Sequence, residues 1–190
     1  MRVRVHREPV AMRRKCPDVL RKYGWCGVLA VLYATNLPMP QTELAFNKCL
    51  ATFKKIIGDR LPRWDCASAA GKRGGITTTQ TARVLAHFHK CCGYSLDRLK
   101  ERGVCTNVNN WLKRVAKKNP RTMYIVHTGK HCVFVDVPRC ASKWVLYDQG
   151  GPKTHSQLPL LNAKGKVGRQ RVYAVFTITP PATTDSPRGP

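Results

Sequence analysis

The chain has 190 residues, 43% of them hydrophobic, which suits one domain with a filled core and excludes a wholly disordered chain. It carries 34 Lys and Arg against 10 Asp and Glu, a formal net charge of +24, and so calls for an acidic partner: nucleic acid, an anionic membrane surface or an acidic protein. No stretch is long and apolar enough to be read as a membrane-spanning helix, so no membrane span is expected.

Residues 1–15 hold Arg2, Arg4, Arg7, Arg13, Arg14 and Lys15. Arg2-Val3-Arg4-Val5-His6 alternates, which fits either an edge strand or a basic arm. This segment has no long apolar run, and the nine cysteines are an odd count with no Cys-x-x-Cys pair. Free thiols in a reducing compartment are expected, either cytoplasmic or within a virion.

Tyr23-Gly24-Trp25-Cys26-Gly27 runs straight into Val28-Leu29-Ala30-Val31-Leu32, whose spacing predicts a helix. Gly24 permits a sharp turn into it. Cys26 then opens the helix, where unpaired N–H groups and the macrodipole favour a thiolate. The helix stops near Asn36, because Leu37-Pro38-Met39-Pro40 cannot continue it. Thr42-Glu43 starts a second helix, from about Glu43 to Ile57, closed by Gly58. Leu44, Cys49, Phe53 and Ile56 are expected to face inward, and Lys48, Lys54 and Lys55 to face water.

Residues 58–75 read as a loop that lines one side of a cleft. Their Gly71-Lys72-Arg73-Gly74-Gly75 run lacks the Gly-Lys-Ser/Thr ending of a phosphate loop, which excludes a nucleotide site there. A third helix is expected over 78–90, with Val84, Leu85 and Phe88 in the core. His87, His89, Cys91 and Cys92, with Cys105 further on, form the sole local cluster of metal-ligand types. They lack the paired-cysteine spacing, so no metal or cofactor is expected. Residues 107–118 predict a helix, with Val108, Trp111, Leu112 and Val115 inward and Lys113, Arg114, Lys117 and Lys118 outward. Residues 121–128 predict a strand.

Gly129-Lys130-His131-Cys132-Val133-Phe134-Val135-Asp136-Val137 reads as a strand opened by a histidine. Lys143-Trp144-Val145-Leu146-Tyr147-Asp148 reads as a second strand closed by an acid, with a turn over residues 138–142. An antiparallel hairpin sets His131 and Asp148 near the same edge. A histidine acts as a base through one nitrogen when an acceptor orients the other. His127 is the rival base, but its apolar strand context fits a satisfied core histidine. Residues 151–169 read as loop, 171–178 as the last strand, and the Pro/Thr/Ser-rich residues 180–190 as a disordered tail. Helices first and strands afterwards give an α+β fold, with the helices on one side of an antiparallel sheet.

The ordered set Cys26, His131 and Asp148 resembles that of papain-like cysteine peptidases. It is most similar to the type that cuts double-glycine leader peptides from bacteriocins. Those peptidases have a Cys-Gly pair opening a helix, a His opening a strand, an Asp ending the next strand, and between them a Gly-Thr/Ser segment that starts a helix. Here that segment is Gly74-Gly75-Ile76-Thr77-Thr78-Thr79. The resemblance covers residues 16–179 and implies one peptidase domain there, flanked by the arm 1–15 and the tail 180–190. It implies a papain-like fold with the nucleophile at a helix N-terminus, Cys26 as nucleophile, His131 as base and Asp148 as its orienter. The family also places a Gln a few residues before the nucleophile to hold the oxyanion. Residues 18–25 contain neither Gln nor Asn, so the Cys26 N–H with Lys22 or Arg21 would have to serve.

Two function classes follow. One is a thiol peptidase, or a related transamidase or deamidase, acting on a polypeptide. The other is a weak or inactive basic protein of peptidase fold that binds nucleic acid without reading sequence, such as a viral or phage particle component. The charge fits both. A polyanion partner needs a basic face away from Cys26, whereas an acidic peptide substrate needs cations around it.

Overall fold

A computed structural model describes residues 26–35, 39–57, 76–92, 95–99, 107–116, 119, 122–128, 131–137, 144–148, 151–154 and 166–179. The expected N-terminal arm, the loop 58–75, the turn 138–142 and the C-terminal tail lie outside these residues. The elements are α1 (Cys26–Thr35), α2 (Glu43–Ile57), α3 (Thr78–Cys92), β1 (Ser95–Leu99), α4 (Val108–Ala116), β2 (Thr122–Thr128), β3 (Cys132–Val137), β4 (Val145–Asp148), β5 (Gly151–Thr154) and β6 (Val172–Thr179), with a short 3-10 turn at Val167–Arg169 before β6. No described helix is long and apolar enough to cross a membrane.

Each amphipathic helix starts on a side-chain cap. Thr42 Oγ1 accepts from the Ala45 N–H at 3.2 Å to open α2. Asn107 Oδ1 accepts from the Asn110 N–H at 2.9 Å to open α4. Thr77 and Gln80 form a reciprocal box before α3: the Gln80 N–H donates to Thr77 Oγ1 at 3.2 Å, and the Thr77 N–H donates to Gln80 Oε1 at 2.8 Å.

The six strands form one antiparallel sheet in the order β1-β6-β2-β3-β4-β5. Alternation along the strands sorts the core into two layers. Ile125 pairs with Phe134 and Phe176, and Phe134 pairs with Tyr147; all four belong to the layer that holds α1, α2 and α3. Val126 pairs with Val133 and Val175, and Val135 pairs with Leu146; these belong to the other layer, with Val108, Trp111 and Leu112 of α4. The arrangement is α+β with helices packed on an antiparallel sheet. The layering differs from the expectation: α4 covers the opposite face. Both faces of β2, β3 and β4 are apolar and both need cover.

Residues Gly27 to Thr35 of α1 are all buried, as befits a helix that is apolar all round. It lies across β2, β3 and β4 with α3 against it, and α2 packs on α3. On α2 the inward stripe is Phe46 and Phe53, with Cys49, Leu50 and Ile56 half-buried. Leu44, expected inward, is 68% exposed. It precedes Phe46 by two residues, about 200° around the helix, and so points the opposite way. One further expectation changes at the sheet margins. Residues 151–154, read as loop, form the edge strand β5 against β4, where Pro152 is tolerated because an edge position leaves its missing N–H without cost. Residues 95–99 form β1, paired with β6 from Ser95↔Thr179 to Leu99↔Val175.

Candidate active site

Cys26, half-buried, is the first residue of α1. Its neighbour Gly27 lets α1 approach the segment before α3: a Cβ at Gly27 would lie 2.6 Å from Ile76 Cγ1. The Gly-Thr segment noted in the sequence therefore has a physical task. Ile76 seats the nucleophile helix while Thr77 caps α3.

His131 stands just before β3, at the end of the tight β2–β3 connection. Thr128 closes that connection. Its N–H donates to the His131 carbonyl at 2.8 Å. Its hydroxyl lies 2.9 Å from the His131 N–H and 3.0 Å from the His131 carbonyl. The same hydroxyl lies 2.5 Å from Gln170 Oε1. Gln170 is itself held, its carbonyl accepting from the Val108 N–H at 3.0 Å and its N–H donating to Val167 at 3.0 Å. The backbone of His131 is thus fixed from β2 and from the start of β6. Neither Thr128 nor Gln170 was singled out in the sequence. A Thr ahead of a Gly-Lys tight turn is a weak cue to such a brace, and Gln170 carries none.

Asp148 ends β4. Continuing the β3–β4 register beyond Phe134↔Tyr147 puts Asp148 across from Val133, two residues from His131 and on the same side of the sheet. His131 Nε2 lies 2.6 Å from Asp148 Oδ1. Cys26, at the start of α1, lies close enough to His131 to raise the pKa of its imidazole. His131 and Asp148 therefore meet where β3 begins and β4 ends, with Cys26 at the start of α1 near enough to influence the imidazole.

Burial pulls the His131 pKa down. The hydrogen bonds from Asp148 and Cys26, and the charges of both, outweigh it and push the imidazole up to about 10. His131 is accordingly held cationic at neutral pH, between a carboxylate and a sulfur. The other two cysteines whose side chains are described are unsuited to nucleophilic attack. Burial pushes Cys49 up to about 11. Cys132 is pushed well above the usual thiol range by burial, then by the charges of Cys26 and Asp148.

His127, the rival base, lies in the core beneath the site at 6% exposure. Its Nε2 lies 3.1 Å from Thr81 Oγ1 and 3.6 Å from Cys132 Sγ, and its ring meets Phe176 edge-on. Those contacts make it a satisfied core histidine that ties α3 to the sheet. The stand-in oxyanion donors Lys22 and Arg21 lie outside the described residues, as do the side chains of His89, Cys91, Cys92 and Cys105. Among the described residues, no group of three or more His, Cys, Asp and Glu is arranged to hold a metal ion.

No protein-family model and no curated protein sequence matches this chain. Among solved structures, the Pseudomonas avirulence protein AvrPphB aligns with 88% of this chain and 99% of its own at 12% identity, with a TM-score of 0.43. An overlap that loose assigns neither a fold family nor an activity.

Proposed function

We propose that the chain is a papain-like cysteine peptidase that cleaves a peptide or isopeptide bond. One observation carries the reading: an imidazole paired with Asp148 at 2.6 Å and raised by the neighbouring Cys26 at a helix start. In this mechanism the proton rests on His131 and the sulfur of Cys26 attacks the substrate carbonyl as a thiolate. The carbonyl oxygen becomes an oxyanion, which in this reading the Cys26 N–H at the start of α1 receives. His131 gives its proton to the leaving amine as the tetrahedral intermediate collapses to a thioester. His131 then takes a proton from water, and the hydroxide hydrolyses the thioester to release the acid and restore Cys26. Asp148 keeps the imidazole oriented and its charge balanced throughout. An amine in place of water would make the same centre a transamidase, and a side-chain amide substrate would make it a deamidase.

The test is mapped alkylation. A peptide-like thiol reagent should label Cys26 at least about tenfold faster than any of the other eight cysteines. That advantage should vanish in His131→Ala. Uniform labelling of the exposed cysteines in the wild type would end the enzyme reading and leave the basic binding protein in its place.

A further inference from the structure

Beside this centre runs a short basic strip that the core does not require. Lys166, Arg169 and Arg171 are exposed, while Val167, Gly168 and Val172 between and after them are buried. The segment is therefore anchored, with its cations turned outward. Tyr173 follows. Pairing jumps from His127↔Ala174 to Thr128↔Val172, so Tyr173 is the extra residue of a bulge, and it stands 62% exposed. Bulges of this kind re-aim a side chain at the margin of a site.

Gln170 sets the distance from this strip to the chemistry. It sits between Arg169 and Arg171, and its side chain meets Thr128, whose hydroxyl meets the His131 N–H. The two arginines thus flank a residue that is two hydrogen bonds from the backbone of His131. The two described segments that meet through the Val108–Gln170 bond, residues 107–116 and 166–179, contain no Asp or Glu. Among the described residues, neither the lysine nor the arginines form an ion pair.

Resting on the peptidase reading, we propose that Arg169, Arg171 and Tyr173 form a substrate subsite for acidic side chains a few residues from the scissile bond. β6 and β3 both flank β2, which sets the strip about 10 Å from the start of β3, and an extended chain advances about 3.3 Å per residue, so a side chain a few positions from the reacting carbonyl spans that gap. Guanidinium groups suit carboxylates because they bind them in a two-pronged fork. The exposed Tyr173 ring offers an apolar platform beside them. A strip this short, beside the reacting atoms, fits a few carboxylates of a polypeptide better than the continuous phosphate track of a nucleic acid.

The experiment uses full-length protein carrying Cys26→Ala and follows fluorescence anisotropy at low salt. Three labelled probes are compared: an Asp/Glu-containing peptide, the same peptide with Asn/Gln at those positions, and a single-stranded oligonucleotide of equal charge. The acidic peptide should bind at least about fivefold more tightly than its neutral version, as two arginine–carboxylate pairs at an exposed site allow. Added Arg169→Ala/Arg171→Ala should close that gap, whereas Lys54→Ala/Lys55→Ala on α2 should leave it open. Equal binding of the two peptides overturns the proposal, as does closure of the gap by the α2 pair. Binding of the oligonucleotide without the acidic peptide also overturns it and makes the surface a nucleic-acid contact. The peptidase reading is scored separately by alkylation of wild-type Cys26. Fast labelling with no peptide preference removes the subsite alone. A peptide preference without fast labelling removes the enzyme and leaves an acidic-peptide docking strip.

Discussion

Asp148→Asn is the most informative single change in the site. Asparagine keeps the shape and one acceptor oxygen but removes the charge. In the wild type, His131 is raised from 6.5 to about 10 against the pull of burial, with Asp148 supplying both a hydrogen bond and a charge. The shift is 10 − 6.5 = 3.5, which at about 1.4 kcal/mol per unit bounds the preference for the imidazolium at roughly 5 kcal/mol, with Cys26 sharing it. Without the carboxylate, burial remains and only Cys26 opposes it, so the pKa should fall by more than one unit. Because the folded-state value is raised, this stabilisation is complete below pH 6.5 and is lost as pH climbs through about 10. Wild-type protein should therefore lose stability across that window, and Asp148→Asn should start lower at neutral pH and show a flatter pH dependence there. NMR titration of the His131 ring reads the pKa, urea unfolding at pH 6 and pH 9.5 reads the stability, and Cys26 alkylation against pH reads the chemistry. The alkylation rate at pH 7 should drop about 10²-fold or more, the scale of a misoriented base. A variant that titrates as the wild type does, with labelling within twofold, would refute the assignment of Asp148.

Gly27→Ala puts a methyl 2.6 Å from Ile76 Cγ1, so thermal unfolding should report a loss of about 1–3 kcal/mol, and Cys26 labelling should slow as α1 shifts. Thr77→Ala removes the Thr77 half of the box before α3 and should cost about 1 kcal/mol in urea unfolding, with Thr77→Ser recovering most of it. Leu44→Ser should leave the unfolding midpoint within about 0.5 kcal/mol of the wild type, since that side chain is 68% exposed.

The parts legible in the sequence are those set by local pattern. Thr42, Asn107 and the apolar spacing of residues 43–57 mark helices that start and stop as their caps and prolines dictate. The run from Cys132 to Val137 marks a buried strand, and the antiparallel pairing of β4 with it brings Asp148 back to His131. The parts that were not legible depend on partners distant in sequence. Ser95-Leu96-Asp97-Arg98-Leu99 has no strand pattern of its own and is a strand because β6 lies beside it. Gly151-Pro152-Lys153-Thr154 carries turn residues, yet β4 offers it an edge. Leu44 fits a periodic stripe nearly as well as Phe46 does, and only the position of α3 and the sheet chooses between them. The side of the sheet that α4 covers is likewise invisible to periodicity, because the strands are apolar on both faces. His127 lies in β2 and His131, four residues on, stands just before β3. Their fates diverge because Thr81 of α3 meets one and the end of β4 meets the other.

The central claim is that Cys26 performs acyl chemistry with His131 and Asp148. The direct measurement is mass-spectrometric cleavage of a diverse peptide library by wild-type protein beside Cys26→Ala, both folded by circular dichroism. The account expects a reproducible set of cleaved peptides with the wild type, including acidic sequences near the cut, and none of those cuts with Cys26→Ala. An identical product set from both proteins, or no cut from either, would contradict it.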